Sequence, residues 1–175
     1  MNKAVFLDRD GVLNRAIVRD GKPYPPRNIS ELEILPGVEE ALQTLHDFGY
    51  LLIVVTNQPD VARGMSSKKS VEEINGNLTS HLPIDDFKTC YHDDKDGCEC
   101  RKPLPGLILN AAKEYKIDLT KSFMVGDRWR DIEAGQRAGC KSFFINNRYL
   151  EAQPERPDFI VSSLLEAKHI ILAGF

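Results

Sequence analysis

No stretch of the chain approaches the ~18 consecutive apolar residues that a membrane-spanning helix needs, and Met1-Asn2-Lys3 leads directly into strand-like sequence rather than into a charged and then apolar leader. A cytoplasmic protein with no membrane association is expected. Positive charge is not in excess either, since 23 Lys+Arg against 26 Asp+Glu leaves −3. Nucleic acid would meet no basic field, so a small anionic ligand must be held by local charges. The 175 residues are enough for one ordinary core and too few for two large lobes, so a single domain over 1–175 and a monomer are expected. Cysteine is scarce. Three of the four fall within residues 90–100, which in a reducing compartment favours metal over disulfide, whereas Cys140 stands apart and reads as core. Repeats and low-complexity segments are absent.

What is present is an alternation. Apolar runs at 4–7, 51–55, 123–125, 143–145 and 159–161, with a weaker one at 87–91, are separated by helical patterns, the signature of a parallel sheet in an α/β protein. Pro36-Gly37 opens a helix bearing Val38, Ala41, Leu42, Leu45 and Phe48 before Gly49 closes it. A second helix starts near Ser66-Ser67 and runs toward His81, weakened in its middle by Asn75, Gly76 and Asn77. Pro105-Gly106 opens a third, residues 129–138 form a fourth, and Ser163 with Glu166 caps the last. Residues 13–35, rich in Gly and Pro, fit neither pattern and read as an irregular flap over a site, beginning at about residue 11.

Polar clusters end several of the strands, which is where open α/β sheets bind ligands. Val5–Leu7 is followed by Asp8-Arg9-Asp10-Gly11, Leu51–Val55 by Thr56-Asn57-Gln58, the weak strand at 87–91 leads to Arg101-Lys102-Pro103, and Phe123–Val125 ends in Gly126-Asp127. Carboxylates at i and i+2 on an extended segment point the same way, and Gly11 allows a sharp turn, so one acid can attack while the other moves protons. Taken singly, each cluster is a solvated turn or a helix cap; the coincidence of four at one mouth argues for covalent phosphoryl chemistry. A phosphate monoester brought to attacking carboxylates needs compensating charge, which Lys102 and a Mg²⁺ on hard oxygen ligands supply, with Thr56 and Asn57 donating to the phosphoryl oxygens.

These four motifs, completed by Asp131 in Gly126-Asp127-x-x-x-Asp131, resemble in order those of the haloacid dehalogenase (HAD) phosphatases over nearly the whole chain. The resemblance implies a Rossmann-like three-layer α/β fold with a central, mainly parallel sheet and no separate cap domain. It also implies Asp8 as nucleophile forming an aspartyl-phosphate and Asp10 as general acid and base. Thr56 and Lys102 would hold the phosphoryl group, Asp8, Asp10 and Asp127 would hold Mg²⁺, and Asp131 would orient the metal shell. A signalling receiver domain, also built on a phosphoacceptor Asp, a Thr and a Lys, fits less well, because no Asp ends the strand at 51–55.

Cys90-x-His92-x₅-Cys98-x-Cys100 offers three thiolates and one imidazole, a closed and therefore structural Zn²⁺ site, placed immediately before Arg101-Lys102 so that zinc would stiffen the loop aiming the lysine. This knuckle, with Asp-Arg-Asp-Gly, Thr-Asn-Gln and Arg-Lys-Pro-x-Pro-Gly, is similar to the subfamily of heptose-1,7-bisphosphate 7-phosphatases and the related histidinol-phosphate phosphatases. The short spacer between His92 and Cys98 is closer to the histidinol-phosphate enzymes, and Pro59-Asp60 departs from the Ser-Gly common in the heptose enzymes. A small phosphorylated sugar is the implied substrate. Thr56, Asn57, Gln58, Arg63, Arg101, Lys102 and Arg128 are the expected substrate-binding residues, with the three arginines serving a distal phosphate.

Overall fold

The structure, a computed structural model, describes residues 1–174. Its centre is a six-stranded parallel sheet built from β1 (Lys3–Leu7), β4 (Tyr50–Asn57), β5 (Asp86–Cys90), β6 (Phe123–Gly126), β7 (Lys141–Ile145) and β8 (Phe159–Val161), in the order β5-β4-β1-β6-β7-β8. The helices are α1 (Val38–Asp47), α2 (Lys68–His81), α3 (Gly106–Glu114), α4 (Trp129–Ala138) and α5 (Leu164–Ala173). The strands read as near-continuous apolar runs because both faces of the sheet are covered. Val5, Leu7, Leu52 and Val54 pack on one side with α1, α2 and α5, while Ala4, Phe6, Ile53 and Val55 pack on the other with α3 and α4. Cys140 is buried in this second layer, as expected.

The chain runs from β1 outward to β4 and β5, then returns to place β6 on the opposite side of β1. The strand order therefore reverses between β1 and β6, and a crevice opens at their carboxyl ends. Asp8 follows the first of these strands and Asp127 the second.

The flap differs from its expected irregularity. It contains an antiparallel hairpin of β2 (Ile17–Arg19) and β3 (Lys22–Tyr24) and a single 3-10 turn at Ile29–Glu31. Asp20 and Gly21 both have positive φ, the requirement of a two-residue hairpin turn matched to strand twist. The strands are too short and too proline-interrupted for alternation to have shown them. The weak middle of α2 is real in composition but does not break the helix, since Asn75 is buried there and bonded to Arg9. At α5, Ser163 accepts from the Glu166 N–H, whereas the Glu166 carboxylate reaches back to the N–H and hydroxyl of Ser162 instead of Ser163. Among the described residues no helix is long and apolar enough to cross a membrane.

Candidate active site

β1 delivers Asp8, whose N–H donates to Val125 O of β6 at 3.0 Å, so the two strand ends are fixed to each other. Lys102 enters from the loop between β5 and α3 and is almost wholly buried. Its Nζ lies 2.8 Å from Asp8 Oδ1, 2.7 Å from Asp131 Oδ1 and 2.7 Å from Val55 O. Burial opposes the charge on Lys102, but Asp131 and Asp8 outweigh it and raise its pKa above the ordinary lysine value. Burial and then the Asp131 carboxylate push the Asp8 carboxyl up to about 6, against the pull of Lys102.

Asp127 completes a group of three buried carboxylates, Asp8, Asp127 and Asp131, each with an oxygen within 4.8 Å of the others. Burial, then Asp8 and Asp131, hold the Asp127 carboxyl well above the usual range. Its Oδ2 accepts from Tyr149 Oη at 2.7 Å and Asn147 Nδ2 at 3.2 Å, while its buried Oδ1 has no protein partner. A buried carboxylate oxygen without a protein partner, beside two further carboxylates, suits a cation ligand. Hard carboxylate oxygens fit Mg²⁺. The backbone is shaped round this group. Gly11 has φ +87°, and a Cβ there would lie 1.8 Å from Asp127 Oδ2; a Cβ on Gly126 would lie 2.1 Å from Asp131 Cβ.

Asp10 has a different set of partners. Its carboxylate accepts from Arg9 Nε and Nη2 at 3.2 and 3.1 Å, from Asn14 Nδ2 at 3.0 Å and from Gln58 Nε2 at 2.9 Å. Arg9 has no exposed surface, and its Nη1 donates to Asn75 Oδ1 of α2 at 2.9 Å. The buried group of three carboxylates thus holds Asp131 and not Asp10, whose side chain Arg9, Asn14 and Gln58 hold at the same cleft.

Above these groups is a cleft of about 270 Å³ lined by Asp8, Asp10, Lys102 and Asp131 below and by Lys22, Tyr24, Arg63, Arg101, Arg128 and Arg130 around its mouth. Beside it, Cys90, His92, Cys98 and Cys100 bring one donor atom each within 4.8 Å of the others. Cys90 Sγ lies 3.7 Å from Cys98 Sγ and 3.1 Å from Cys100 Sγ, and His92 Nδ1 is 3.2 Å from Cys100 Sγ. All four cysteines are free of disulfides. Three sulfurs and one nitrogen gathered in this way are a donor set of the kind that a tetrahedral Zn²⁺ takes.

Comparison with known proteins places this arrangement. The HAD-hydrolase-like family model matches residues 99–167. The D-glycero-beta-D-manno-heptose-1,7-bisphosphate 7-phosphatase of Haemophilus influenzae is 40% identical over 152 residues, covering 81% of this chain and 79% of that one. The enzyme of the same name from Helicobacter pylori is 38% identical over 147 residues, covering 81% and 82%. Among solved structures, a D,D-heptose 1,7-bisphosphate phosphatase from B. bronchiseptica, complexed with magnesium and phosphate, superposes with a TM-score of 0.84 at 30% identity, covering 98% of both chains. The chain belongs to the HAD-like phosphatase family.

For a HAD-like phosphatase the sequence motifs converge as expected, since Asp8, Lys102, Asp127 and Asp131 meet at one point, and the receiver-domain alternative falls. The other expected substrate-binding residues have protein partners of their own. Thr56 and Gln58 are buried and do not line the cleft; Gln58 Nε2 spans Thr56 Oγ1 and Asp10 Oδ2 at 2.9 Å each. They brace Asp10. Asn57 does line the cleft, but its amide clasps the Lys102 backbone, donating to Lys102 O and accepting from Lys102 N at 3.1 Å each. Arg63, Arg101 and Arg128 reach the cleft already paired, with Asp93 and Asp60, with Asp94, and with Glu151 respectively. Sequence reasoning missed the supports Arg9, Asn14, Asn75, Asn147 and Tyr149, and the wall residues Lys22, Asp94 and Arg130. Arg9 alone had a signal, a charge between two motif aspartates.

Proposed function

We propose that the protein is a Mg²⁺-dependent phosphomonoesterase that removes the C7 phosphate of D-glycero-β-D-manno-heptose 1,7-bisphosphate through Asp8. The observation that carries this reading is Lys102 Nζ held between Asp8 and Asp131 at the base of an arginine-rimmed cleft. That arrangement makes a cationic seat beside a carboxylate nucleophile, with further cations lining the same cleft. The names of the relatives supply the sugar, its anomer and the position cleaved. The short spacer of the Cys/His loop carries no competing argument once these relatives align across most of the chain.

Asp8 attacks phosphorus, the bond to the sugar oxygen breaks, and Asp10 gives that oxygen its proton. Water then yields a proton to Asp10 and attacks the aspartyl-phosphate, releasing phosphate and restoring Asp8. Lys102 offsets charge on Asp8 and the phosphoryl oxygens throughout, while Gln58 and Arg9 keep Asp10 aimed. Mg²⁺, held by Asp8, Asp127 and Asp131, would stabilise charge on the transferring phosphoryl group. Zn²⁺, held by Cys90, His92, Cys98 and Cys100, would have no open position and would fix the loop that carries Lys102. A single domain acting as a cytoplasmic monomer completes the proposal.

Phosphate release with Mg²⁺ from heptose 1,7-bisphosphate in both anomers, fructose 1,6-bisphosphate and histidinol phosphate tests it. The β-heptose is expected to exceed the others by about 100-fold in kcat/KM, roughly 2.7 kcal/mol of transition-state discrimination. A preference for histidinol phosphate would overturn the substrate while leaving the chemistry.

A further inference from the structure

α2 buries Val71, Ile74, Asn75 and Leu78, which are positions i, i+3, i+4 and i+7 of a core-facing stripe. Three of the four are aliphatic. Asn75 takes the remaining place with an amide that is 8% exposed, in a helix that continues through Gly76 and Asn77. Helix propensity and the cost of burying a polar group both argue against Asn at this position. A local rule broken inside an element points to a functional demand on that residue.

The demand comes from Arg9. Asn75 Oδ1 accepts from Arg9 Nη1 at 2.9 Å, and Asn75 Nδ2 lies 3.4 Å from Thr89 Oγ1 of β5. Arg9 has no exposed surface, so it does not meet a substrate directly. Its Nε and Nη2 donate to Asp10 Oδ1 at 3.2 and 3.1 Å. The guanidinium is planar and rigid, so holding Nη1 on α2 fixes the plane in which the other N–H groups meet Asp10. Among the described residues Asp10 is the one carboxylate paired with Arg9, and a neutral amide at position 75 leaves that pairing without an anionic competitor. The opposite brace ends nearby. Gln58 Nε2 joins Asp10 Oδ2 to Thr56 Oγ1, and Thr56 stands beside Thr89 in the register of β4 and β5.

We propose that Asn75 is a positioning residue for proton transfer. It acts from α2 through Arg9 to aim Asp10 at the leaving oxygen, and touches neither substrate nor metal. This inference rests on the phosphatase reading above and is independent of which sugar is cleaved.

The test compares kcat/KM for 4-nitrophenyl phosphate and phenyl phosphate, with Mg²⁺, in wild-type, Asn75→Leu and Asn75→Asp proteins. Nitrophenolate leaves without a proton, whereas the more basic phenolate or a sugar alkoxide takes one from the general acid. Leucine suits the stripe and the helix but offers Arg9 no acceptor. Asn75→Leu should therefore lower kcat/KM about 30-fold for the phenyl ester and less than about threefold for the nitrophenyl ester. With heptose 1,7-bisphosphate, kcat should fall by a similar factor while KM stays within about twofold, and this split decides alone if an aryl ester is too poor a substrate. Asn75→Asp keeps an acceptor for Nη1 and should recover most of the loss. Equal losses on both aryl esters, or an Asn75→Asp protein no better than Asn75→Leu, would overturn the proposal. Should Asn75→Leu fold poorly, Arg9→Lys keeps the charge without the fork that spans Asn75 and Asp10, and must show the same split. A wild-type protein that hydrolyses none of the three esters would instead overturn the phosphatase reading itself.

Discussion

Asp127 keeps one buried oxygen free of protein partners, while Tyr149 and Asn147 hold the other. Asn147 Nδ2 is also within 3.0 Å of Gly11 O, so the same side chain ties the turn after β1 to the carboxylate after β6. Tyr149→Phe deletes the 2.7 Å bond and frees the carboxylate to rotate. Supports of this kind typically govern metal affinity by about 10- to 100-fold. Mg²⁺ titration by calorimetry should show about tenfold weaker binding, with substrate KM at saturating Mg²⁺ little changed; unaltered Mg²⁺ affinity would contradict this role. Asp8 and Asp127 were legible because each lies just beyond the end of an apolar strand, and Lys102 because Arg101-Lys102-Pro103 directly follows the Cys/His spacing. Tyr149 and Asn147 were not, since residues 146–150 form a loop with no periodicity, and a partner's position depends on the turn that carries it. Thr56, Asn57 and Gln58 were located but their protein partners were not, because sequence gives the strand end and not which side chain a buried neighbour claims.

At the scale of elements, the Cys/His loop links β5 to α3 and ends at the residue before Arg101-Lys102. Cys90 is buried at the end of β5, and burial raises its thiol pKa; a bound metal would offset this by compensating thiolate charge. Cys98→Ser should lose zinc and about 3–4 kcal/mol of stability, a fall of roughly 10 °C in Tm for a chain of this size. Metal analysis with thermal unfolding checks both, and a variant keeping its zinc would refute the site. The grouping of Cys90, His92, Cys98 and Cys100 was readable from spacing alone. The hairpin β2–β3 was not, because three-residue strands leave no alternation to read, although it supplies Lys22 and Tyr24 to the cleft.

For the whole molecule, the parallel sheet and its helices followed from the alternation of apolar runs with helical patterns. The strand order did not, and the order is what puts Asp8 and Asp127 side by side at the reversal between β1 and β6. Gathering three carboxylates there carries a pH signature. A carboxyl raised from 3.8 to about 6 in the folded chain, as at Asp8, binds its proton more tightly than when unfolded. Its share of metal-free stability is thus present below the unfolded value and is lost as pH rises through about 6. Mg²⁺ needs the ionised form and gains over the same interval, so the Tm increase on adding Mg²⁺ should be larger at pH 7.5 than at pH 5; equal increments would show that the triad does not bind it. The most direct test of the account is ³¹P NMR of β-heptose 1,7-bisphosphate during turnover. The account predicts loss of the C7 phosphate resonance, retention of the C1 phosphate and no reaction with Asp8→Asn. Loss of the C1 phosphate, or turnover by Asp8→Asn, would contradict it.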